Sequence, residues 1–416
     1  MTASLLLLYI CAALFLQLAV GVGVAVWRLR RVVPETDIRP DNERPTAIAA
    51  AWSGWRKFRV VQRNFEDPSC TQCSFHLLPV DGEMLLPFRP GQFLTVRLRV
   101  GDAGAGIPDR SALITRCYSL SDRPVPETYR ITVKRVVAPP DRPELPPGVA
   151  SAHFHDKVQE NDVIEIRAPA GQFFLNPDPL IPAVLICGGI GITPMMSMLR
   201  WCCDEQPDRV VTLFHGVRHG REHAFKTTLE KLACENPNFH LNIVYSRPEP
   251  GDVQGRDFQH AGYVDIDLLK NILPAGRHDF CVCGPPAMME SLVPALRAWR
   301  IPEENIHFEA FGPSSPRPTT GPSPGAALVG TAQLDITFRH SGRTLRWDGR
   351  DASLLDFAER HGVAVESGCR SGSCGSCETK LLSGLVRYAH KPDHDIAAGY
   401  CLLCVGTPAS PLLLDA

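Results

Sequence analysis

The pattern of hydrophobic and polar positions begins with one long apolar run. Ser4 to Trp27 contains no charged side chain, and a cluster of three arginines follows directly. A helix of about 24 residues would rise about 36 Å, enough to span a bilayer core of about 30 Å. A signal peptide is the competing interpretation, but its positive charges would precede the apolar run. We therefore predict a transmembrane anchor over residues 1–31, and a single-pass membrane protein whose soluble domains lie on the cytoplasmic side because the arginines follow the span.

Two segments poor in large apolar side chains divide the rest of the chain. Residues 32–51 mix prolines with charged residues, which predicts a tether. Residues 313–330 contain five prolines and predict a Pro-rich linker. The folded regions are therefore expected at 52–179, 180–312 and 331–416.

These three regions differ in hydrophobic period. Residues 52–179 alternate apolar and polar positions between proline and glycine turns, which predicts an antiparallel β-barrel. Residues 180–312 alternate continuous apolar runs with helix-like stretches, which predicts an α/β domain with a doubly wound parallel sheet. Residues 331–416 show a hairpin-like pair of segments, one helix and a cysteine-rich loop. The predicted fold class is multi-domain: a transmembrane helix, an antiparallel barrel, a doubly wound domain and an α+β domain.

Charge and cysteine usage narrow the chemistry. The 416 residues carry a formal net charge of -2, with no long Lys/Arg run, so a nucleic-acid partner is not expected. Five of the 15 cysteines lie between Cys369 and Cys404, which indicates a metal or redox site and not a spread disulfide framework.

The spacing of these cysteines is the most specific motif. Cys369, Cys374 and Cys377 follow the C-x4-C-x2-C pattern of plant-type 2Fe-2S ligation, which needs four thiolates. We take Cys404 as the fourth ligand, with Cys401 as its competitor. A zinc site or inert thiols are the alternative. Gly372 and Gly375 are expected to let backbone amides approach the cluster, whereas we expect no part for Gly368.

Two motifs in the other regions suggest phosphate binding. The strand-like Arg116-Cys117-Tyr118-Ser119 supplies a cation for a phosphate, an aromatic face and a hydroxyl. A helix start downstream offers backbone amides to a second phosphate. After an apolar strand, a glycine-rich turn opens a further helix, as a pyrophosphate site requires. Besides Arg116, Tyr118 and Ser119, the candidate cofactor-binding residues in these regions are Lys134, Gly148, Ala150, Ser151, Gly189, Gly191, Thr193 and Pro194.

These motifs resemble known families. The segment SGCRSGSCGSCETKLLSG is similar to the ferredoxin domain of oxygenase reductases of the phthalate dioxygenase reductase family, which implies a β-grasp fold for the last domain. The preceding 260 residues or so resemble the ferredoxin-NADP reductase superfamily, with a flavin segment similar to the reductase half of flavohemoglobins. The G-x-x-S segment at Gly148 resembles members that bind FAD, although relatives with this domain order often use FMN.

The resemblance also implies residue roles. Arg116 would bind the flavin phosphate, Tyr118 would pack on the isoalloxazine and Ser119 would reach its N5 atom. Residues implied at the nicotinamide and flavin are Cys283, Gly284, Pro285, Glu309 and Phe311.

Together these parts predict a reductase that takes hydride from a nicotinamide nucleotide and passes single electrons through FAD to a 2Fe-2S cluster. No acid or base residue is assigned. Arg218 could meet the 2'-phosphate of NADPH, but we favour NADH. The expected partner is an electron-accepting redox protein, such as an oxygenase, a desaturase or a hybrid-cluster protein, and the anchor would place it in or near the membrane. A self-sufficient oxidoreductase that reduces quinone, ferric chelate or oxygen is the alternative, and a redox-sensing binding module is a third class.

Overall fold

The computed structural model describes residues 52, 54–100, 112–138, 143–144, 146–310, 334–389, 392 and 394–416. The predicted tether, the predicted Pro-rich linker and the candidate Phe311 lie outside the described residues. The predicted domain boundaries therefore stay predictions.

The first domain is a six-stranded antiparallel sheet. Along β1, Phe58 and Val60 face the core while the residues between and beside them face solvent, as a half-buried strand requires. The strand order is β4-β3-β6-β1-β2-β5, and a bridge between Leu120 and Ile131 joins the two edges, so the sheet closes on itself. The strands are β1 (Arg56–Phe65), β2 (Gln72–Pro79), β3 (Phe93–Val100), β4 (Ala112–Ser119), β5 (Tyr129–Lys134) and β6 (Val163–Ala170), and helix α1 is Val149–Asp156.

The second domain is a parallel sheet with helices on both faces. Every residue of β7 and β11 is buried, which explains why these strands are continuous apolar runs in the sequence. The strands are β7 (Ala183–Gly188), β8 (Val211–Val217), β9 (Phe239–Tyr245), β10 (His260–Ala261), β11 (Asp279–Gly284) and β12 (Ile306–Ala310). The helices are α2 (Ile192–Glu205), α3 (Lys226–Glu235), α4 (Ile266–Ile272) and α5 (Pro286–Ala298).

The order of these strands places a binding crevice. It is β10-β9-β8-β7-β11-β12, so the chain builds outward from β7 in one direction and then returns to its other side. Ligands of doubly wound sheets bind beyond the carboxyl ends of the strands at such a switch point. The ends of β7 and β11 are therefore where a nucleotide is expected.

The third domain combines a mixed five-stranded sheet with one short helix. Ser353 caps this helix, because its hydroxyl accepts a hydrogen bond from the backbone amide of Asp356 at 3.2 Å. The sheet order is β14-β13-β19-β15-β17, and β16 pairs with β18 apart from it. The elements are β13 (Leu334–Phe338), β14 (Arg343–Trp347), α6 (Leu354–Arg360), β15 (Glu378–Ser383), β16 (Val386–Tyr388), β17 (Tyr400–Leu402), β18 (Gly406–Pro408) and β19 (Leu412–Leu414).

The predicted fold class must be corrected in one part, the N-terminal transmembrane helix. Across the described part of the chain, no helix is long and apolar enough to cross a membrane, and the predicted span, residues 1–31, lies outside that part. An apolar run meets only the compositional requirement of a span, which must also form one continuous helix. The fold class is therefore corrected to an antiparallel flavin sheet, a parallel nucleotide sheet and a 2Fe-2S domain, and the membrane is withdrawn as a partner.

Candidate functional site

Strand β4 carries the predicted flavin motif at the edge of the first sheet. Arg116 is exposed, and its side chain donates a hydrogen bond to the backbone carbonyl of Thr115. Tyr118 packs edge-on against Phe154 of α1 with ring centroids 5.1 Å apart, and burial raises the pKa of its hydroxyl. The guanidinium of Arg116 is thus available to an anion from solvent, while Tyr118 is fixed by packing.

Ser119 ends this strand next to the second domain. Its hydroxyl donates to Glu309 Oε2 at 3.3 Å, across the boundary between β4 and β12. Burial raises the pKa of the Glu309 carboxyl to about 8, with a smaller opposing contribution from this hydrogen bond. Two predicted residues that are distant in sequence therefore meet, although Ser119 already has a partner where the resemblance implied a flavin atom.

The second anion segment begins at Gly148, just before α1. The hydroxyl of Ser151 donates to the Gly148 carbonyl at 2.9 Å and accepts from the Val136 amide at 3.1 Å. A Cβ on Gly148 would lie 2.8 Å from both the Ser151 hydroxyl and Val136. Ala150 is buried in the core of the first domain. The segment is thus built to a fixed shape at the start of a helix, where anions bind favourably.

Lys134 lies at the boundary between the first and second domains. Its ammonium lies 3.0 Å from Glu222 Oε2, in the loop after β8, and 4.0 Å from the position of a Cβ on Gly189. Glu222 also binds Arg218, with Nη1 3.1 Å from Oε1. Lys134 therefore joins the two domains beside the glycine turn, and Arg218 does not stand alone as a cation.

The glycine turn connects β7 to α2 at the switch point. Gly189 has φ +52°, and a Cβ on Gly191 would lie 2.1 Å from the backbone oxygen of Cys283. Thr193 turns its hydroxyl back to the Ile190 carbonyl at 3.0 Å. Pro194 lies in the first turn of α2, where its missing amide costs no helical hydrogen bond. Only glycine at position 191 allows the turn to touch the neighbouring strand.

The carboxyl edge of β11 lies between β7 and β12. Cys283 is paired with Cys187 on one side and with Glu309 on the other, and burial raises the pKa of its thiol. Gly284 and Pro285 follow it and pack on Gly188, with the Pro285 ring 2.6 Å from the position of a Cβ there. The structure thus brings the predicted nicotinamide residues together with the glycine turn.

A buried histidine beneath the turn was not singled out from the sequence. His215 on β8 is fully buried, and its Nε2 donates to the Gly189 carbonyl at 3.2 Å. Burial lowers the pKa of this imidazole to about 4. His223 packs 5.5 Å away, ring to ring, and contacts the Tyr245 hydroxyl. A polar residue within a continuous apolar strand was the signal available in the sequence.

The cysteine loop lies between α6 and β15, and its three cysteines form two pairs together with Cys404, which follows β17. Cys369 donates its amide to the Cys374 sulfur at 3.2 Å, and the Cys374 thiol raises the pKa of the Cys369 thiol. Cys377 and Cys404 form the second pair, and this contact raises the pKa of the Cys404 thiol. Cys401 lies on β17 opposite Thr379. In the described residues, no three histidine, cysteine or acidic side chains converge as a single metal ion would require.

The loop backbone fits an anionic sulfur cluster. Three amides, those of Ser371, Ser373 and Cys374, donate to the Cys369 sulfur at 3.3 to 3.4 Å. Such hydrogen bonds stabilise negative charge on sulfur. The predicted Gly372 and Gly375 adopt positive φ values of 81° and 68°.

Gly368, for which no part was expected from the sequence, belongs to this loop. A Cβ at this position would lie 2.8 Å from the Cys374 sulfur and 2.8 Å from the Ser376 hydroxyl. The expectation that Gly368 plays no part was wrong, because its importance lies in close approach and not in ligation.

The cysteine loop packs on the flavin strand. The thiol of Cys117, the second residue of the flavin motif, lies near the Cys374 thiol and raises its pKa. Arg167 on β6 donates from Nη1 to the Cys374 carbonyl at 3.0 Å. The flavin and cluster motifs, about 250 residues apart along the chain, therefore share one surface.

Comparison with known proteins agrees with this architecture. Residues 185–293 match the family model of the oxidoreductase NAD-binding domain, and residues 336–409 match that of the 2Fe-2S iron-sulfur cluster binding domain. A flavohemoprotein of Halalkalibacterium halodurans is 37% identical over 291 residues, which cover 69% of this chain and 68% of that protein. Of several other flavohemoproteins, the chain covers 62% to 64%.

Two solved structures extend the comparison. The FAD/NAD-binding domain of nitric oxide dioxygenase from Vibrio cholerae has a TM-score of 0.53 and 30% identity, covering 62% of this chain and 99% of that one. Phthalate dioxygenase reductase has a TM-score of 0.50 and 24% identity, covering 87% of this chain and 98% of that one. The latter likeness, at 24% identity, concerns the fold alone.

These findings define a pyridine-nucleotide-dependent flavin reductase of the ferredoxin reductase type. The chain belongs to the ferredoxin-NADP reductase superfamily, with flavin and nucleotide domains of the flavohemoprotein kind and a C-terminal plant-type 2Fe-2S ferredoxin domain. Its cofactors are FAD and a 2Fe-2S cluster, and its substrate is a nicotinamide nucleotide. The residues described above fit these groups in donor type and shape.

Proposed function

We propose that this protein carries electrons from NADH through FAD and the 2Fe-2S cluster to a separate acceptor protein, such as an oxygenase, a desaturase or a hybrid-cluster protein. The observation that carries the proposal is the hydrogen bond at 3.0 Å from Arg167 of the flavin domain to the Cys374 carbonyl of the cluster loop, with Cys117 of the flavin motif near the same cysteine. Residues two apart on a strand are separated by about 7 Å, so Cys117 lies within that distance of Ser119. An electron leaving the flavin site then has a short route to the cysteine loop.

The residues of the chain supply binding and orientation for this reaction. Arg116 is exposed and can neutralise a flavin phosphate, and the start of α1 at Gly148 can receive a second phosphate. The turn at Gly189 and Gly191 can receive the nucleotide pyrophosphate. A bound FAD would supply the conversion of a two-electron hydride into single electrons, which a one-electron cluster requires. The protein therefore needs positioning groups here and no acid or base.

The cysteine pairs support a specific set of cluster ligands. Two irons with four protein thiolates take two thiolates each. Cys369 with Cys374, and Cys377 with Cys404, match that division. We propose these four as the ligands and prefer Cys404 to Cys401, since Cys401 lies on β17, paired with Thr379.

The surroundings of Arg218 support NADH as the donor. A 2'-phosphate needs an available cation, yet Arg218 is already paired with the carboxylate of Glu222. That carboxylate would also repel a phosphate. The cytoplasm supplies nicotinamide nucleotide and keeps cysteine ligands reduced. We therefore place the reaction there.

Acceptor assays of the purified protein and of a Cys374→Ser variant test the proposal. NADH oxidation is followed with cytochrome c as a one-electron protein acceptor, and separately with a quinone and a ferric chelate. We expect the variant to be unable to reduce cytochrome c. It should still oxidise NADH when the acceptor reacts directly with the flavin. Equal reduction of cytochrome c by both proteins would contradict a role for the cluster and favour a self-sufficient flavin oxidoreductase.

A further inference from the structure

One row of side chains on the flavin domain faces the cluster loop. Cys117 of β4, Thr95 of β3 and Arg167 of β6 are directly opposite one another in the strand registers. The Thr95 hydroxyl lies 3.6 Å from the Cys117 sulfur. One outer member of the row contacts the ferredoxin domain directly, because Arg167 Nη1 donates to the Cys374 carbonyl at 3.0 Å.

Arg167 is held in place for this contact. Its guanidinium lies 4.7 Å from the ring centroid of Trp55, a stacking distance. Arg97 stacks on the same tryptophan at 4.4 Å, but its guanidinium is engaged by Glu165, with Nε 2.9 Å from Oε2. Two arginines thus share one aromatic support, and Arg167 donates its hydrogen bond to the cluster loop while Arg97 donates to its own sheet.

We propose that Arg167 is a positioning residue for electron transfer from the flavin domain to the cluster. Its stacked guanidinium holds the Cys374 carbonyl and so keeps the cysteine loop docked on the row that ends in the flavin motif. The distance between flavin and cluster sets the transfer rate, and undocking would lengthen it. The ferredoxin domain is joined to the nucleotide domain through a segment predicted from sequence to be a Pro-rich linker, so such a contact would determine how often the loop is in place. This inference rests on the proposed function.

The test compares Arg167→Gln with Arg97→Gln in the full-length protein loaded with FAD and cluster. Rapid mixing with NADH under anaerobic conditions resolves flavin reduction from cluster reduction by their absorption. A hydrogen bond to a charged donor corresponds to a factor of about ten or more in a docking equilibrium. We expect Arg167→Gln to slow cluster reduction about tenfold while flavin reduction is unchanged, and Arg97→Gln to leave both steps as they are.

A second readout does not depend on turnover. Amide hydrogen exchange of the oxidised protein reports whether residues 369–377 are covered. Exchange in this segment should be faster in Arg167→Gln and unchanged in Arg97→Gln. If the glutamine variant does not fold, Arg167→Lys keeps a cationic donor and should keep both the transfer rate and the protection.

The outcomes separate this inference from the function on which it rests. If the cluster of the unmodified protein is reduced and Arg167→Gln changes neither readout, the proposed role of Arg167 is overturned but the proposed function is not. Equal slowing by Arg97→Gln would assign the effect to packing on Trp55 and also overturn it, as would a lysine variant as slow as the glutamine variant. Absence of cluster reduction in the unmodified protein would instead refute the proposed function.

Discussion

The buried imidazole of His215 makes the stability of the nucleotide domain sensitive to acid. The group is neutral when folded because burial lowers its pKa from 6.5 to about 4, with a further lowering by the nearby charge of Lys134. The unfolded chain takes up a proton near pH 6.5, whereas the folded one does so only near pH 4. The stabilisation that comes from keeping His215 neutral is therefore fully present above about pH 6.5, the pKa in the unfolded chain. It is lost as the pH falls from 6.5 towards 4, and it is absent below pH 4.

The structure sets the size of this effect. A shift from 6.5 to about 4 corresponds to roughly 3 kcal/mol in full, and about 2 kcal/mol of it is lost by pH 5. His215→Gln keeps an amide donor that can reach the Gly189 carbonyl but does not titrate. When the pH is lowered from 7.5 to 5, we expect the unmodified protein to lose about 2 kcal/mol more unfolding free energy than this variant.

Urea unfolding at both pH values, followed by circular dichroism, measures that difference. His240→Gln is the matched control, since His240 lies on neighbouring strand β9 with its side chain exposed. The control should show no such shift. An unchanged difference between His215→Gln and the unmodified protein across the two pH values would refute the assignment of His215 as a neutral buried group.

Three further substitutions test the flavin, nucleotide and cluster sites. Arg116→Ala should weaken FAD binding by about 1.5 to 3 kcal/mol through loss of a charged phosphate contact, and full FAD occupancy after dialysis would show that the motif is misassigned. Gly191→Ala should raise KM for NADH, because its Cβ would lie 2.1 Å from the Cys283 oxygen and must displace the turn at a cost of about 1 to 3 kcal/mol; unchanged kinetics would mean that the turn tolerates the shift. Gly368→Ala should lower the iron content but not the FAD content, because its Cβ would press on the Cys374 sulfur. Gly251→Ala, in open space, is the control, and equal iron in both variants would contradict the packing argument.

The sequence was most informative where chemistry depends on local spacing. The cysteine motif, the glycine turn after β7 and the helix start at Gly148 are each contained in a few adjacent residues, and the structure places each on the expected kind of element. The change from alternating to continuous apolar runs identified the antiparallel and parallel sheets, because each pattern follows from the number of buried sheet faces.

Contacts between distant segments could not be predicted in this way. Arg167 and Cys374 are separated by 207 residues, and nothing in the local pattern of β6 distinguishes this arginine from a solvent-exposed one. Lys134 was predicted only as a cofactor-binding residue, and its pairing with Glu222 could not be foreseen because it depends on how two domains pack. Gly368 was set aside for a similar reason, since close approach to the Cys374 sulfur depends on a folded loop. The predicted transmembrane helix is corrected in the fold class, because no helix in the described part of the chain could cross a membrane and residues 1–31 lie outside that part.

The central claim is that electrons pass from NADH through the flavin to the cluster within this chain. Anaerobic titration of the purified protein with NADH, followed by flavin absorption and by low-temperature EPR, tests it most directly. We predict loss of flavin absorption together with the EPR signal of a reduced 2Fe-2S cluster. Loss of flavin absorption without that signal would contradict the claim and leave a flavin reductase whose cysteine loop serves another purpose.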